Sequence, residues 1–164
     1  MKNTIIAKTL LTIWPGLDEY ERSLADRAYT HALCSFNTPL HAERVMQKII
    51  DLNVKQHSVR NLRDALDKVI NQMPTDLQTI VRSYYRPYEP ADNVKQLAER
   101  AGMSERSFFR RLDAATNYVA RKLPQIGINF FTWQYLLLNH PWIKECFTRA
   151  LQPNRRRNHV HQTE

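Results

Sequence analysis

The sequence predicts an all-α fold, and three observations predict it. Apolar side chains recur at steps of three and four along almost the whole chain. No alternating apolar/polar run of any length appears, which is what a half-buried strand would need. There are only 3 glycines in 164 residues, too few for hairpin-rich folds or phosphate-cradling loops.

Each element follows from local pattern. The opening stretch MKNTIIAKTLLTIWPGL is apolar but interrupted by Thr9 and Thr12, and no small-residue cleavage site follows, so it is not expected to be a signal peptide. Leu17, Tyr20, Leu24, Ala28 and Ala32 form one helical stripe. Thr38-Pro39 signals the start of a second helix, with Ala42, Val45, Met46, Ile49 and Ile50 as its buried face. Ser58 is placed to cap a third, striped by Val59, Leu62, Leu66, Val69 and Ile70. Pro74-Thr75-Asp76 opens a fourth, with Leu77, Ile80, Val81 and Tyr84 on one side. Pro87 and Pro90 make 86–90 a rigid connector, since proline also pushes its predecessor out of helical geometry.

Two further helices follow, then an aromatic-rich segment with Phe130, Phe131, Trp133 and Trp142, and a basic, disordered tail. The expected division is a helical region over 1–73, a functional region over 74–123, an apolar helical segment over 124–151, and the tail over 152–164. The apolar segment has two readings, packing back on the N-terminal helices or serving as a homodimer interface.

The charge is uneven. The net charge is +8, but residues 1–91 carry 12 basic and 10 acidic side chains against 12 and 6 in residues 92–164. The excess therefore gathers where a polyanion would be met. The longest apolar run, Ile126 to Leu138, is broken by Asn129, Thr132 and Gln134 and is too short to span a bilayer. With two cysteines, Cys34 and Cys146, the expectation is a cytoplasmic chain with reduced thiols and no membrane partner.

Residues 92–123 carry the functional signal. A helix-turn-helix needs a small residue where two helices cross, a turn residue that tolerates positive φ, a cap, and a second helix apolar on one face only. Ala98, Gly102 and Ser104 meet the first three needs, with Met103 as an apolar plug. Phe108, Leu112, Ala115, Val119 and Leu123 supply the inward stripe. At about 100° per residue, the opposite face carries Arg106, Arg110, Asp113, Asn117 and Arg121, flanked by Ser107 and Arg111.

Arginine pairs bidentately with guanine edges and grips phosphates. Arg106, Ser107 and Arg110 are thus the candidates for base edges, and Lys95, Gln96, Arg111, Asn117 and Arg121 for phosphates. Ser104 and Glu105 complete the first turn that would enter a major groove of double-stranded DNA. The same pattern also fits an ordinary helical hairpin with a solvated basic face.

Residues 73–123 resemble region 4 of bacterial sigma factors. Both have a proline-led helix ending in aromatic residues (Ile80-Val81-Arg82-Ser83-Tyr84-Tyr85), a short connector and then two helices. The phrase Ser104-Glu105-Arg106-Ser107-Phe108-Phe109-Arg110-Arg111 is similar to the recognition helices of the ArpU and RinA group of phage late-transcription regulators. The resemblance implies promoter-proximal DNA binding and contact with RNA polymerase, and a bacterial host cell as location. A phage small-terminase-like packaging protein and a helical module that binds RNA polymerase are the alternatives.

Other chemistry is not expected. His31, Cys34 and His41 offer one plausible pair of zinc ligands where a structural site needs four, and a Cys34 buried on a helix face is the simpler expectation. The acidic residues are spread along helix surfaces at salt-bridge spacing, such as Asp64 to Lys68, without a nucleophile–base arrangement. Neither cofactor, metal nor enzymatic activity is anticipated.

Overall fold

The computed structural model describes residues 3–35, 42–85 and 93–152. They form helices α1 (Asn3–Ile13), α2 (Leu17–Ser35), α3 (Ala42–Asn71), α4 (Thr75–Tyr85), α5 (Val94–Arg100), α6 (Glu105–Lys122), α7 (Phe130–Asn139) and α8 (Pro141–Leu151). Short 3-10 turns occupy Trp14–Gly16 and Leu123–Ile126, and no strand occurs among the described residues. The fold is all-α. The Thr38-Pro39 start signal, the 86–90 connector, His41, Asp92 and residues 153–164 lie outside the described residues.

The stretch that opens the chain is the centre of the molecule. α1 buries Ile6, Ala7, Leu10, Leu11 and Ile13 and packs against α4, α6 and α8. Each of the isoleucine and leucine side chains is worth about 1.5–3 kcal/mol of burial. Thr9 is buried too, its hydroxyl donating back to the Ile5 carbonyl at 2.9 Å. α1 gives way at Pro15 to a 3-10 turn that swings the chain into α2. A Cβ at Gly16 would stand 2.9 Å from the Trp142 ring, so the turn and α8 approach only because that position has no side chain.

α2 and α3 form an antiparallel pair whose register is set by polar contacts. Glu21, nearly buried, accepts from Arg60 at 2.7 Å and from Arg63 at 2.6 Å. Arg63 also donates to Asp18 at 2.8 Å, and the Trp14 indole donates to Asp67 at 2.7 Å. A half-buried ionic cluster contributes little net stability, but any slip by one residue would strand its charges.

Four expectations for this half need correction. The third helix does not start at Ser58; α3 is continuous from Ala42 to Asn71. No glycine or proline interrupts residues 42–71, and one interior serine costs only a few tenths of a kcal/mol. Ala42, Met46 and Ile50 are exposed rather than buried, because α2 meets this part of α3 on the Val45–Ile49 side. Cys34 is exposed, on the last turn of α2. Asp64 is met by Arg63 at 2.9 Å and not by Lys68.

Proline at 74 stops α3, and α4 then caps its end. The Gln78 amide donates to the Asn71 and Met73 carbonyls, each at 2.9 Å, and Arg82 donates to the Asn71 side chain at 2.8 Å. From α6, the Tyr118 hydroxyl donates to the Gln72 carbonyl at 2.9 Å. The carbonyls of Asn71, at the end of α3, and of Gln72 and Met73 just beyond it are thereby satisfied.

Two apolar clusters result. The larger joins α1, α2, α3, Val81 of α4, the C-terminal half of α6, α7 and α8 around Trp14, Leu66, Val119 and Trp133. The smaller joins Ile80, Leu97, Ala98, Phe108 and Leu112, from α4, α5 and the first half of α6. α7 and α8 pack back through Trp133, Leu136 and Ile143, while Phe130, Phe131 and Leu138 stay exposed. Among the described residues no helix is long and apolar enough to cross a membrane.

Candidate nucleic-acid interface

α5 and α6 are positioned by three hydrogen-bonded devices. Asn93 caps α5 with a reciprocal box: its side chain accepts from the Gln96 N–H at 3.0 Å, and the Gln96 side chain accepts from the Asn93 N–H at 3.0 Å. α5 ends in a Schellman turn, with Gly102 N–H donating to the Glu99 carbonyl and Met103 N–H to the Ala98 carbonyl, both at 3.0 Å. Gly102 has φ +64, a conformation that glycine adopts without penalty. Ser104 then caps α6, accepting from the Ser107 N–H at 3.3 Å and donating to the Ser107 hydroxyl at 3.0 Å.

The inner face of α6 is anchored as its spacing required. Phe108, Leu112, Ala115, Val119 and Leu123 are all buried. Phe108 lies against the Tyr84 ring with centroids 6.3 Å apart, and Met103 packs on the same cluster. Beside it Tyr85 is deeply sheltered, and burial, with Tyr84 and Asp113 adding to it, drives its phenol well above the ordinary range. These contacts fix the rotation of α6 about its own axis.

That rotation leaves Arg106, Arg110, Asp113, Asn117 and Arg121 exposed on the outer face. Among the described residues Arg106, Arg110 and Arg121 have no ion-pair partner. Arg106 and Arg121 are separated by about 22 Å along the axis. A major groove is only about 12 Å wide, so one end of such a helix can lie among base edges while the other meets a backbone.

The remaining candidates are distributed differently. Arg111 turns toward α4 and meets Asp76 at 3.5 Å, so part of its charge is already compensated. Ser104, Ser107 and the Gln96 oxygen are engaged in the caps. Glu105 stands exposed in the first turn of α6, where its charge complements the helix dipole, and Lys95 is exposed on the first turn of α5. Asn117 and Arg121 line a groove of about 640 Å³ with Asn3 and Thr4 from α1. A second groove, about 410 Å³, runs between α4 and α6 past Asp76, Ser107, Arg110 and Arg111.

Asp76, Asn3 and Thr4 enter this surface without a sequence signal, because only the packing of α1 and α4 on α6 brings them there. Asn93 was legible in principle, as an Asn three residues ahead of a Gln. Among the described residues no group of three or more His, Cys, Asp or Glu is placed to hold a metal ion.

No protein-family model matches this chain, and no curated protein or solved structure is significantly similar to it.

Proposed function

We propose that this chain is a sequence-specific DNA-binding regulator of transcription, in which α5 and α6 act as a helix-turn-helix and α6 enters the major groove. The observation that carries the reading is the outer face of α6. It presents three guanidinium groups without ion-pair partners among the described residues, on a helix whose opposite face is held by a buried aromatic side chain. A solvated basic face needs neither the cap nor the locked rotation. A reading helix needs both, since base edges are discriminated only by donors held in place.

In this reading Arg106 and Arg110 contact base edges, while Asn117, Arg121 and Lys95 hold phosphates. Arg111, Ser104, Ser107 and Gln96 orient the motif, Arg111 through Asp76 and the others through the caps. The resemblance to sigma region 4 and to the ArpU and RinA regulators supports a promoter as the target and RNA polymerase as a neighbour. The proposed activity is binding, without catalysis or cofactor.

The test uses DNA duplexes selected from a randomised pool, with affinity measured at two salt concentrations. With two phosphate-neutralising cations, Lys95 and Arg121, affinity falls about tenfold between roughly 50 and 200 mM salt. Arg106→Ala is expected to relax preference at one base position by about 1–3 kcal/mol, and Arg121→Ala to weaken all sequences alike. Absence of binding, or equal effects from the two substitutions, sinks the proposal.

A further inference from the structure

One surface takes no part in the proposed interface. Near the α2–α3 connection, Tyr29 and Leu33 of α2 and Met46, Ile50 and Val54 of α3 are each between 48% and 66% exposed. None is charged, and each set recurs at steps of four, so each forms a stripe along its helix.

The two stripes face the same way. The contacts Asp18–Arg63 and Glu21–Arg60 set the antiparallel register. Continued along the pair, that register brings Tyr29 level with Leu52, between Ile50 and Val54, and Leu33 level with Lys48, between Met46 and Ile50. On each helix the stripe lies about 130° from the side that meets its partner. Because the helices run in opposite directions, these two rotations point to one side of the pair.

The other side is polar and turned toward the body of the protein. Arg27, His31, Lys48 and Lys55 lie there by the same rotation, and Lys55 acts on the buried His140 while Tyr20 packs on Trp142. The apolar five are thus segregated on the face away from the core, and among the described residues no third helix lies against it.

We propose that this face pairs with its counterpart on a second copy of the chain, so that two α2–α3 hairpins form a four-helix bundle about a twofold axis. The five side chains present on the order of 500 Å² of apolar surface, within the range of the largest patches that monomers expose and that commonly mark interaction sites. Twofold pairing buries about 1,000 Å² in total, the lower bound for a specific interface. A stripe shared by both members of an antiparallel hairpin is what a bundle interface requires, and an isologous contact of this kind closes at two copies. The inference stands apart from the DNA-binding reading.

The measurement is the mass of the full chain by sedimentation equilibrium. At about 50 µM the expected mass is twice the 19.4 kDa of the chain. Ile50→Glu brings two like charges together on the axis and is expected to raise the dimer dissociation constant by about 100-fold or more. Met46→Gln, milder, is expected to raise it about tenfold. Phe131→Glu, which alters the other exposed apolar patch on α7, is expected to leave the dimer intact. Helical circular dichroism and the melting temperature confirm that each variant is folded. A monomeric wild type, a ring or larger assembly, a dimer insensitive to Ile50→Glu, or one broken equally by Phe131→Glu overturns the proposal.

Discussion

His140 stands between α7 and α8 with no exposed surface, its Nδ1 3.3 Å from the Tyr20 hydroxyl. Its Nε2, like the Trp133 indole nitrogen, is buried without a hydrogen-bond partner among the described residues. Burial, reinforced by the Lys55 ammonium, depresses the imidazole to about 4. The unfolded chain takes up this proton below about 6.5, whereas the folded chain takes it up only near 4. Between those values the unfolded state holds more protons, so stability falls as pH is lowered through the window and is constant above it. The loss is on the order of 2 kcal/mol, once solvent screening near Lys55 is allowed for. Urea unfolding of wild type and His140→Gln at pH 7.5, 5.5 and 4.5 reads it directly. The variant starts less stable but declines less steeply with acid, and parallel declines in the two proteins remove His140 as the source.

At the scale of elements, the α5–α6 turn rests on one backbone conformation. Gly102 has φ +64, yet a Cβ there would meet nothing within 4 Å. Gly102→Ala therefore costs only the backbone penalty, about 1–2 kcal/mol, without any steric clash. Gly102→Asn costs less, since asparagine tolerates the left-handed region. Thermal melts of the two variants should rank wild type, Asn, Ala, and an alanine variant as stable as wild type would show that the turn relaxes to another conformation. This turn was legible in the sequence, as were the Ser104 cap and the buried stripe from Phe108 to Leu123, because capping and helical period are local. What escaped the sequence was decided by which elements come to lie against a helix. The apolar period of Met46 and Ile50 is sound, but among the described residues no element covers it. Cys34 has a burying side-chain type and sits at an uncovered helix end. Arg111 carries the same type of charge as Arg110, yet Asp76 of α4 compensates only Arg111. α1 went unread although its period is present, with Thr4, Lys8 and Thr12 exposed at steps of four opposite the buried Ile6, Ala7, Leu10, Leu11 and Ile13.

At the scale of the molecule, α6 belongs to both apolar clusters. Phe108 and Leu112 stand in the smaller one, Ala115, Val119 and Ala120 in the larger, and α5 touches only the smaller. α6 is thus held from behind by the main core, and α5 is an attachment to its first half. This predicts a hierarchy of stability. Leu10→Ala, in α1, opens a cavity in the larger cluster and costs about 2–5 kcal/mol, or roughly 5–15 °C in melting temperature. All three tryptophans, Trp14, Trp133 and Trp142, lie in or against that cluster, so their fluorescence reports its melting. Leu97→Ala removes a similar volume from the smaller cluster, but α5 can detach without exposing the larger one. Amide exchange in α5 is then expected to rise by about tenfold or more while the tryptophan-reported midpoint moves by less than about 3 °C. If Leu97→Ala lowers that midpoint as far as Leu10→Ala does, the two clusters melt as one unit and α6 does not serve as a separate platform for α5.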